Sequence, residues 1–361
     1  MLYTTPQPTS VIRERLEELD DLRVKLHDDI VNPSPWLGTL RRQVKAASVE
    51  SSVSIEGFEV PEGDALAIVD TGEADPDDQN RMAVACYTRA MDHVGVMAHD
   101  PQFEWSDRVI LDLHFDTCYF QRDKSPGVWR RSPISVTGPG GGVAYRAPDA
   151  EEVVPLMAEV IDWLRAGDLD SHVVVRAAMA HLHTVSVHPF RDGNGRISRI
   201  AQSLVLARDG LLSPEFSSIE EFLGAHTRDY YTVLQRVQGG RYQPGGDASE
   251  WVAFCIDAHI AQARRRLEQI EEAAARWATL ERLVEERGWP DRLVIALEQS
   301  LIGGTDRSRY ERETGISPAT ASNDFRRLLD ASLVTQAGRG RSTRYFASDD
   351  LRALVADSTK T

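Results

Sequence analysis

Segment after segment of this chain spaces its apolar residues for a helix, at about 11–30, 37–56, 79–97, 103–121, 149–166, 170–186, 194–209 and 249–286. Each segment is bounded by Gly, Pro, Asp or Ser, and Pro33 and Pro35 stop the first outright because neither can continue a helix. One stretch breaks the pattern. Residues 128–146, VWRRSPISVTGPGGGVAYR, set β-branched and aromatic residues on either side of a Gly-Pro-Gly-Gly-Gly tip at 138–142, which predicts a hairpin. An isolated hairpin is marginal in water, so it must pack on helices. The fold class expected is mainly α, with a single β-hairpin in the body.

The chain has 361 residues, more than a single hydrophobic core usually supports, so a main domain and an appendage are expected. Trp289-Pro290 marks the boundary, after the charged helix RRRLEQIEEAAARWATLERLVEERG. No run of about 18 apolar residues could cross a bilayer, which argues against a membrane protein. The first residues turn charged before any apolar stretch develops, so no secretory or transit signal is read and a cytoplasmic location is expected. Cys86, Cys118 and Cys255 are too scattered for a zinc knuckle and too few for a disulfide scaffold; buried small apolar residues are expected. The net charge of −15 argues against a surface that coats nucleic acid throughout.

The most informative stretch is HPFRDGNGRISR, residues 188–199, lying between the apolar helix RAAMAHLHTVSV and the helix GRISRIAQSLVLARDG. A loop that opens a helix presents unpaired backbone N–H groups and the positive end of the helix dipole, and Gly193 and Gly195 allow the backbone to approach a phosphate chain. Asp192 can hold Mg²⁺ while leaving most of the ion's octahedral positions to water and phosphate oxygens. Arg196 and Arg199, three apart on one helical face, reach the same anion. His188, with an ordinary pKa of about 6.5, suits a general base for a hydroxyl nucleophile.

This loop resembles the HxFx(D/E)GNGRxxR signature of Fic-domain proteins at every fixed position. LDLHFD around His114, the hairpin followed by YRAPDAEEVVPLMAEVIDWL, and TRDYYTVLQ with a later Trp251 are similar to Fic surroundings, so the resemblance covers roughly residues 45–260. It implies a Fic helical bundle with a β-hairpin flap, and transfer of AMP from ATP to a Ser, Thr or Tyr hydroxyl of a protein. By this resemblance His188 is the base, Asp192 binds Mg²⁺ between the α- and β-phosphates, and Gly193, Asn194 and Gly195 form the anion cradle. Arg196 and Arg199 neutralise the β- and γ-phosphates, Phe190 anchors the loop, and the flap at 128–146 pairs with the target protein. Tyr230 and Tyr231 are placed either along the adenine pocket or in the core.

Ser52-Val53-Ser54-Ile55-Glu56-Gly57 resembles the (S/T)xxxE(G/N) inhibitory motif of the same family, with Ser52 and Glu56 one helical turn apart. The resemblance implies that Glu56 pairs with Arg199 and so denies it to the γ-phosphate. The same carboxylate can orient water for removal of AMP from a modified target.

After 289 the pattern is helix, helix, turn at Gly315-Ile316, helix from Ser317, then two strands around Gly-Arg-Gly, which resembles a winged helix-turn-helix. Residues 305–346 hold eight Arg against five acidic residues, a local +3. One reading turns Thr320, Asn323, Arg326 or Arg327 to a DNA groove and Arg339, Arg341 and Arg344 to phosphates. The other is dimerisation or target docking. The partition expected is an N-terminal helical region at 1–100 carrying an inhibitory helix at about 37–57, a catalytic core at 101–260, a helical linker at 261–288 and a small C-terminal winged-helix domain at 289–361. Apolar helix faces at 11–30 and 252–286 suggest either a homodimer or packing within the chain. The alternative to an enzyme is a nucleotide-sensing, DNA-binding transcription regulator.

Overall fold

The computed structural model describes residues 1–358 apart from 62, 139–140 and 341–342. Within them the chain forms two compact units, one of residues 1–31 and 44–266, the other of 32–43 and 267–361.

The first unit contains α1 (Ser10–Val31), most of α2 (Leu37–Ser54), α3 (Asp64–Thr71), α4 (Gln79–His99) and α5 (Asp107–Cys118). Next come the hairpin β1 (Ser135–Thr137) and β2 (Val143–Arg146), then α6 (Val153–Ala166), α7 (Val173–Val187) and α8 (Asn194–Asp209). It closes with α9 (Pro214–Ser217), α10 (Glu220–Ala225), α11 (Thr227–Gln238) and the first half of α12 (Ser249–Glu286). At its centre α7 packs on α8, and both are buried on nearly every face. RAAMAHLHTVSV is apolar over most of its circumference, and polar groups buried with it, such as Thr184, His181 and, on α8, Ser198 and Gln202, are hydrogen-bonded. Trp251 on α12, fully buried, donates its indole N–H to Ala178 O at 2.7 Å and locks α12 onto α7. Helices α3, α9, α10, α11 and α16 (Asp349–Ser358) were not among the predicted segments; most are too short to show a full period.

The hairpin pairs Ser135 with Arg146 and Val136 with Tyr145, with an irregularity after Val136. Its inner strand is tied down: Arg146 N donates to Gly240 O, Tyr242 N to Arg146 O, and the Tyr145 hydroxyl to Ser186 O on α7. Among the described residues β1 has no second neighbour, so its outer edge is free to accept another strand.

The second unit holds the first turns of α2, the second half of α12, α13 (Leu293–Leu301), α14 (Arg307–Thr314), α15 (Pro318–Asp330), the hairpin of β3 (Val334–Ala337) and β4 (Arg344–Ala347), and α16. Ser317 caps α15 by accepting from Thr320 N, and Pro318 opens it. Tyr345 stacks on Phe325 at 3.9 Å, fastening the hairpin to α15. The chain crosses between the units three times, once at the end of α1 (31/32) and twice inside helices, α2 (43/44) and α12 (266/267), and none of these points coincides with the expected boundaries at 100, 260 and 288: a continuous helix carries no break in pattern where its burial partner changes.

One of the wing residues needs correction. Arg344 donates to Gly303 O at 3.0 Å and lies over the Phe346 ring, so its guanidinium is engaged inside the unit. Arg341 lies outside the described residues. Arg326, Arg327 and Arg339 are exposed. All three cysteines are free and buried, as expected.

Candidate active site

The 188–194 loop begins where α7 ends, and His188 makes the ending. Its backbone is left-handed (φ +51°), rare for a residue with a side chain and a conformation found at functional sites held by their surroundings. The holding group is Arg130. Its buried guanidinium donates to His188 O at 2.8 Å, Pro148 O at 2.7 Å and Ser132 O at 3.0 Å, while Arg130 N donates to Pro189 O at 2.9 Å. This arginine, absent from the sequence reading, staples the flap to the helix end.

The protonation of His188 follows from its partner. Nδ1 lies 3.1 Å from Val185 O, and a carbonyl only accepts, so Nδ1 carries the proton and Nε2 keeps its lone pair. Burial pushes the imidazole pKa down to about 4, and the ring is neutral at pH 7.

Phe190 is fully buried, stacked on His114 at 3.5 Å and tilted against Trp129 at 4.9 Å. Asn194 accepts from Phe190 N at 2.9 Å and donates to Phe190 O at 2.9 Å. Its side-chain amide is thereby spent on loop shape, which holds the cradle segment in place. His114 supports the loop from below. Gly127 N donates to its Nδ1 at 2.8 Å, so Nε2 bears the proton and donates to Asp192 O at 3.0 Å.

Asp192 receives Gly193 N on Oδ1 at 2.6 Å and Gln121 Nε2 on Oδ2 at 3.0 Å. Gln121 also accepts from Arg196 Nη2 at 2.8 Å, so one amide bridges the carboxylate and a guanidinium that lies 3.6 Å from Asp192 Oδ1 as an ion pair. Gln121 was invisible to motif reading because it lies outside the contiguous loop. Arg196 is fully buried beneath the rings of Phe58 and Phe120, and its Nε and Nη1 have no hydrogen-bond partner. Unpaired buried donors are costly, and these two mark a place for an anion. Gly193 (φ +74°) precedes α8, whose first N–H groups open toward the same place.

The start of α8 already has a carboxylate beside it. Past α2 the chain closes in a Schellman motif, with Phe58 N donating to Val53 O and Gly57 N to Ser54 O, and Gly57 adopts the required left-handed φ of +84°. Glu56 is thus delivered to α8. Its Oε1 accepts from Arg199 Nη2 at 2.8 Å and lies so near Gly195 that a Cβ there would come within 2.3 Å. Arg199 also donates Nε to the Ser52 hydroxyl at 2.8 Å and Nη2 to Ser52 O at 2.9 Å, leaving only Nη1 unpaired.

The resulting cleft, about 560 Å³, is lined among others by Glu56, Val136, His188, Gly195, Tyr231 and Gln235. Tyr231 is exposed and donates to Ile55 O at 3.3 Å. Tyr230 borders the cleft but is buried. His181 Nδ1 faces Gln202 Oε1 at 2.9 Å, an acceptor, so His181 Nε2 is bare and takes the Tyr230 hydroxyl proton at 3.0 Å.

A base with a free lone pair, helix-opening N–H groups, two buried guanidiniums and one carboxylate define a site for handling phosphate esters. Residues 105–206 match the Fic/DOC family, so the chain carries a Fic domain. It is 26% identical over 255 residues to protein adenylyltransferase fic-1 of Caenorhabditis elegans (67% of this chain, 46% of the relative). It is also 26% identical over 266 residues to protein adenylyltransferase Fic of Nematostella vectensis (71% and 58%). The chain thus spans about half the length of these relatives. Its fold is similar to that of a Fic family protein from Desulfovibrio desulfuricans G20, with TM-score 0.59, 19% identity and coverage of 96% and 98%. It is similar as well to Fic-1 of C. elegans, residues 134–508, with TM-score 0.58, 24% identity and coverage of 72% of each chain.

Proposed function

We propose that this protein is an adenylyltransferase that moves AMP from ATP to a hydroxyl of a protein, and that Glu56 holds it inactive. The observation that carries this reading is the pair of opposed groups in one cleft: an imidazole with its Nε2 lone pair free, and a carboxylate on the anion-binding end of α8.

In the reaction, His188 Nε2 accepts the acceptor's hydroxyl proton as the oxygen attacks the α-phosphorus, and the bond to the β-phosphate oxygen breaks, releasing pyrophosphate. The unpaired N–H groups of Arg196, the first N–H groups of α8 and, once freed, Arg199 take the negative charge of the phosphates. Asp192 is the single carboxylate of the loop, and the described residues contain no cluster of three metal-binding side chains. That suits Mg²⁺, which arrives with the triphosphate and keeps water and phosphate oxygens as most of its ligands. Held there, Mg²⁺ would neutralise phosphate charge. An extended acceptor segment adds to the free edge of β1 and brings its hydroxyl to His188.

Glu56 opposes this by filling the cradle and occupying Arg199. A carboxylate about 4 Å from a phosphate oxygen repels it by several kcal/mol at intermediate dielectric, enough to turn the triphosphate out of line. The same carboxylate suits hydrolysis of an AMP-modified hydroxyl, the reverse direction.

Intact-mass measurement after incubation with ATP and Mg²⁺ tests the proposal on wild type, Glu56→Gly, and Glu56→Gly with His188→Ala. Self-modification by AMP is expected for Glu56→Gly, little for wild type and none for the double variant. Bound ATP with no mass gain in any variant would overturn it.

For the second unit, we propose a winged helix-turn-helix that binds DNA, supported by the exposed Asn323, Arg326 and Arg327 on α15 behind its Ser317 cap. Salt-dependent retention of duplex DNA, lost with Arg326→Ala and Arg327→Ala together, is the expected result.

A further inference from the structure

Beside the nucleotide cleft lies a second hollow of about 570 Å³, lined by Ser125, Val128, Trp129, Arg130–Ser132 and Arg191. Three of these residues are arginines, and they differ in state. Arg130 is buried and fully engaged with backbone carbonyls, so it supplies rigidity rather than a binding charge. Arg131 and Arg191 are exposed, with no hydrogen bond or ion pair among the described residues. The floor carries apolar surface, with Val128 48% exposed and Trp129 resting on Phe190.

Two unpaired cations on a rigid, partly apolar wall are unusual on a chain of net charge −15. Their position gives them a task. Arg191 also borders the nucleotide cleft, three residues past His188, and the 128–132 segment leads directly into β1. A polypeptide laid along β1 and extended past its Ser135 end meets the 128–132 segment that lines this hollow.

We infer that the hollow selects acceptor segments bearing acidic residues, with an apolar neighbour, next to the modified hydroxyl, Arg131 and Arg191 being the charges that read them. The inference rests on protein AMP transfer and specifies the class of acceptor. Exposed pairs contribute modestly, so the discrimination expected is about five- to tenfold at low salt and less as salt screens it.

The test uses full-length Glu56→Gly protein and three fluorescein-labelled twelve-residue peptides, each with a central Tyr and Leu, flanked by Glu, Gln or Lys. Fluorescence anisotropy should rank Glu above Gln above Lys, with the gap narrowing as salt rises. Adding Arg131→Glu and Arg191→Glu should reverse the order. Equal affinities, an order unchanged by charge reversal, or a loss of ATP affinity in Arg131→Glu alone would overturn the inference, the last by assigning the hollow to nucleotide. ATP binding and self-modification are measured separately. Failure there with acidic preference intact would remove the transferase and leave the surface; the converse would remove the surface alone.

Discussion

His188 shows how a single side chain is tuned by backbone groups. Its Nδ1 is committed to Val185 O, its carbonyl to Arg130, and burial keeps the ring neutral with a pKa near 4. Protonation of Nε2 would abolish its role as base, so transfer by Glu56→Gly should be flat between pH 6 and 8 and fall only as pH drops toward 4. A pH–rate profile with an inflection near 6.5 would contradict this. Tyr230 depends on a relay fixed by Gln202, whose Oε1 sets the His181 tautomer. Tyr230→Phe strips a buried His181 Nε2 of its donor and should cost about 1–3 kcal/mol in denaturant unfolding. The loop residues were legible because 188–199 is one contiguous motif. Arg130, His114 and Gln121 were not, since each acts on backbone or side chains 58 to 78 residues away.

Among the elements, α2 is the one on which the proposed inhibition turns: its residues are ordinary for a helix, and the Schellman ending at Gly57 aims Glu56 at α8 and Phe58 at Arg196. At its other end α2 meets α12 and α13 in the second unit. There Glu298, buried on α13, faces Arg276 of α12 with Thr39 and Arg42 of α2, and burial raises its pKa to about 7. A carboxyl raised from about 4.5 binds more protons folded than unfolded between those values. Its contribution to stability is therefore complete below pH 4.5, declines as pH rises toward 7, and is lost above. The second unit should weaken by roughly 2–3 kcal/mol over that window. Glu298→Gln should remove the dependence, as read from chemical denaturation at pH 5 and pH 8. The hairpin at 128–146 was predicted from β-branched residues around a glycine-rich tip, whereas its anchoring to Ser186 and Gly240 was not readable, because those groups approach only in the folded bundle.

For the molecule as a whole, the chain passes between its two units three times, at the end of α1, within α2 and within α12. Each unit has its own core. In the second, Asp324 accepts both Arg292 nitrogens, at 2.7 and 3.0 Å, and the Tyr310 hydroxyl at 3.0 Å. Asp324→Ala leaves these donors unpaired and should cost about 3 kcal/mol. Hydrogen exchange should show lost protection across 292–347 with residues 105–206 unchanged; uniform loss would mean the units unfold together. The long helices, the single flap, the basic C-terminal segment and the 188–199 loop were set by local chemistry: periodicity, caps, glycines and one uninterrupted motif. Packing alone decided the state of the site. Arg199 meets Ser52 and Glu56 across 147 and 143 residues of chain, and Arg344 turns to Gly303 instead of solvent. A side chain's partner at such separation is selected by which surfaces are buried together, and no local pattern encodes that choice.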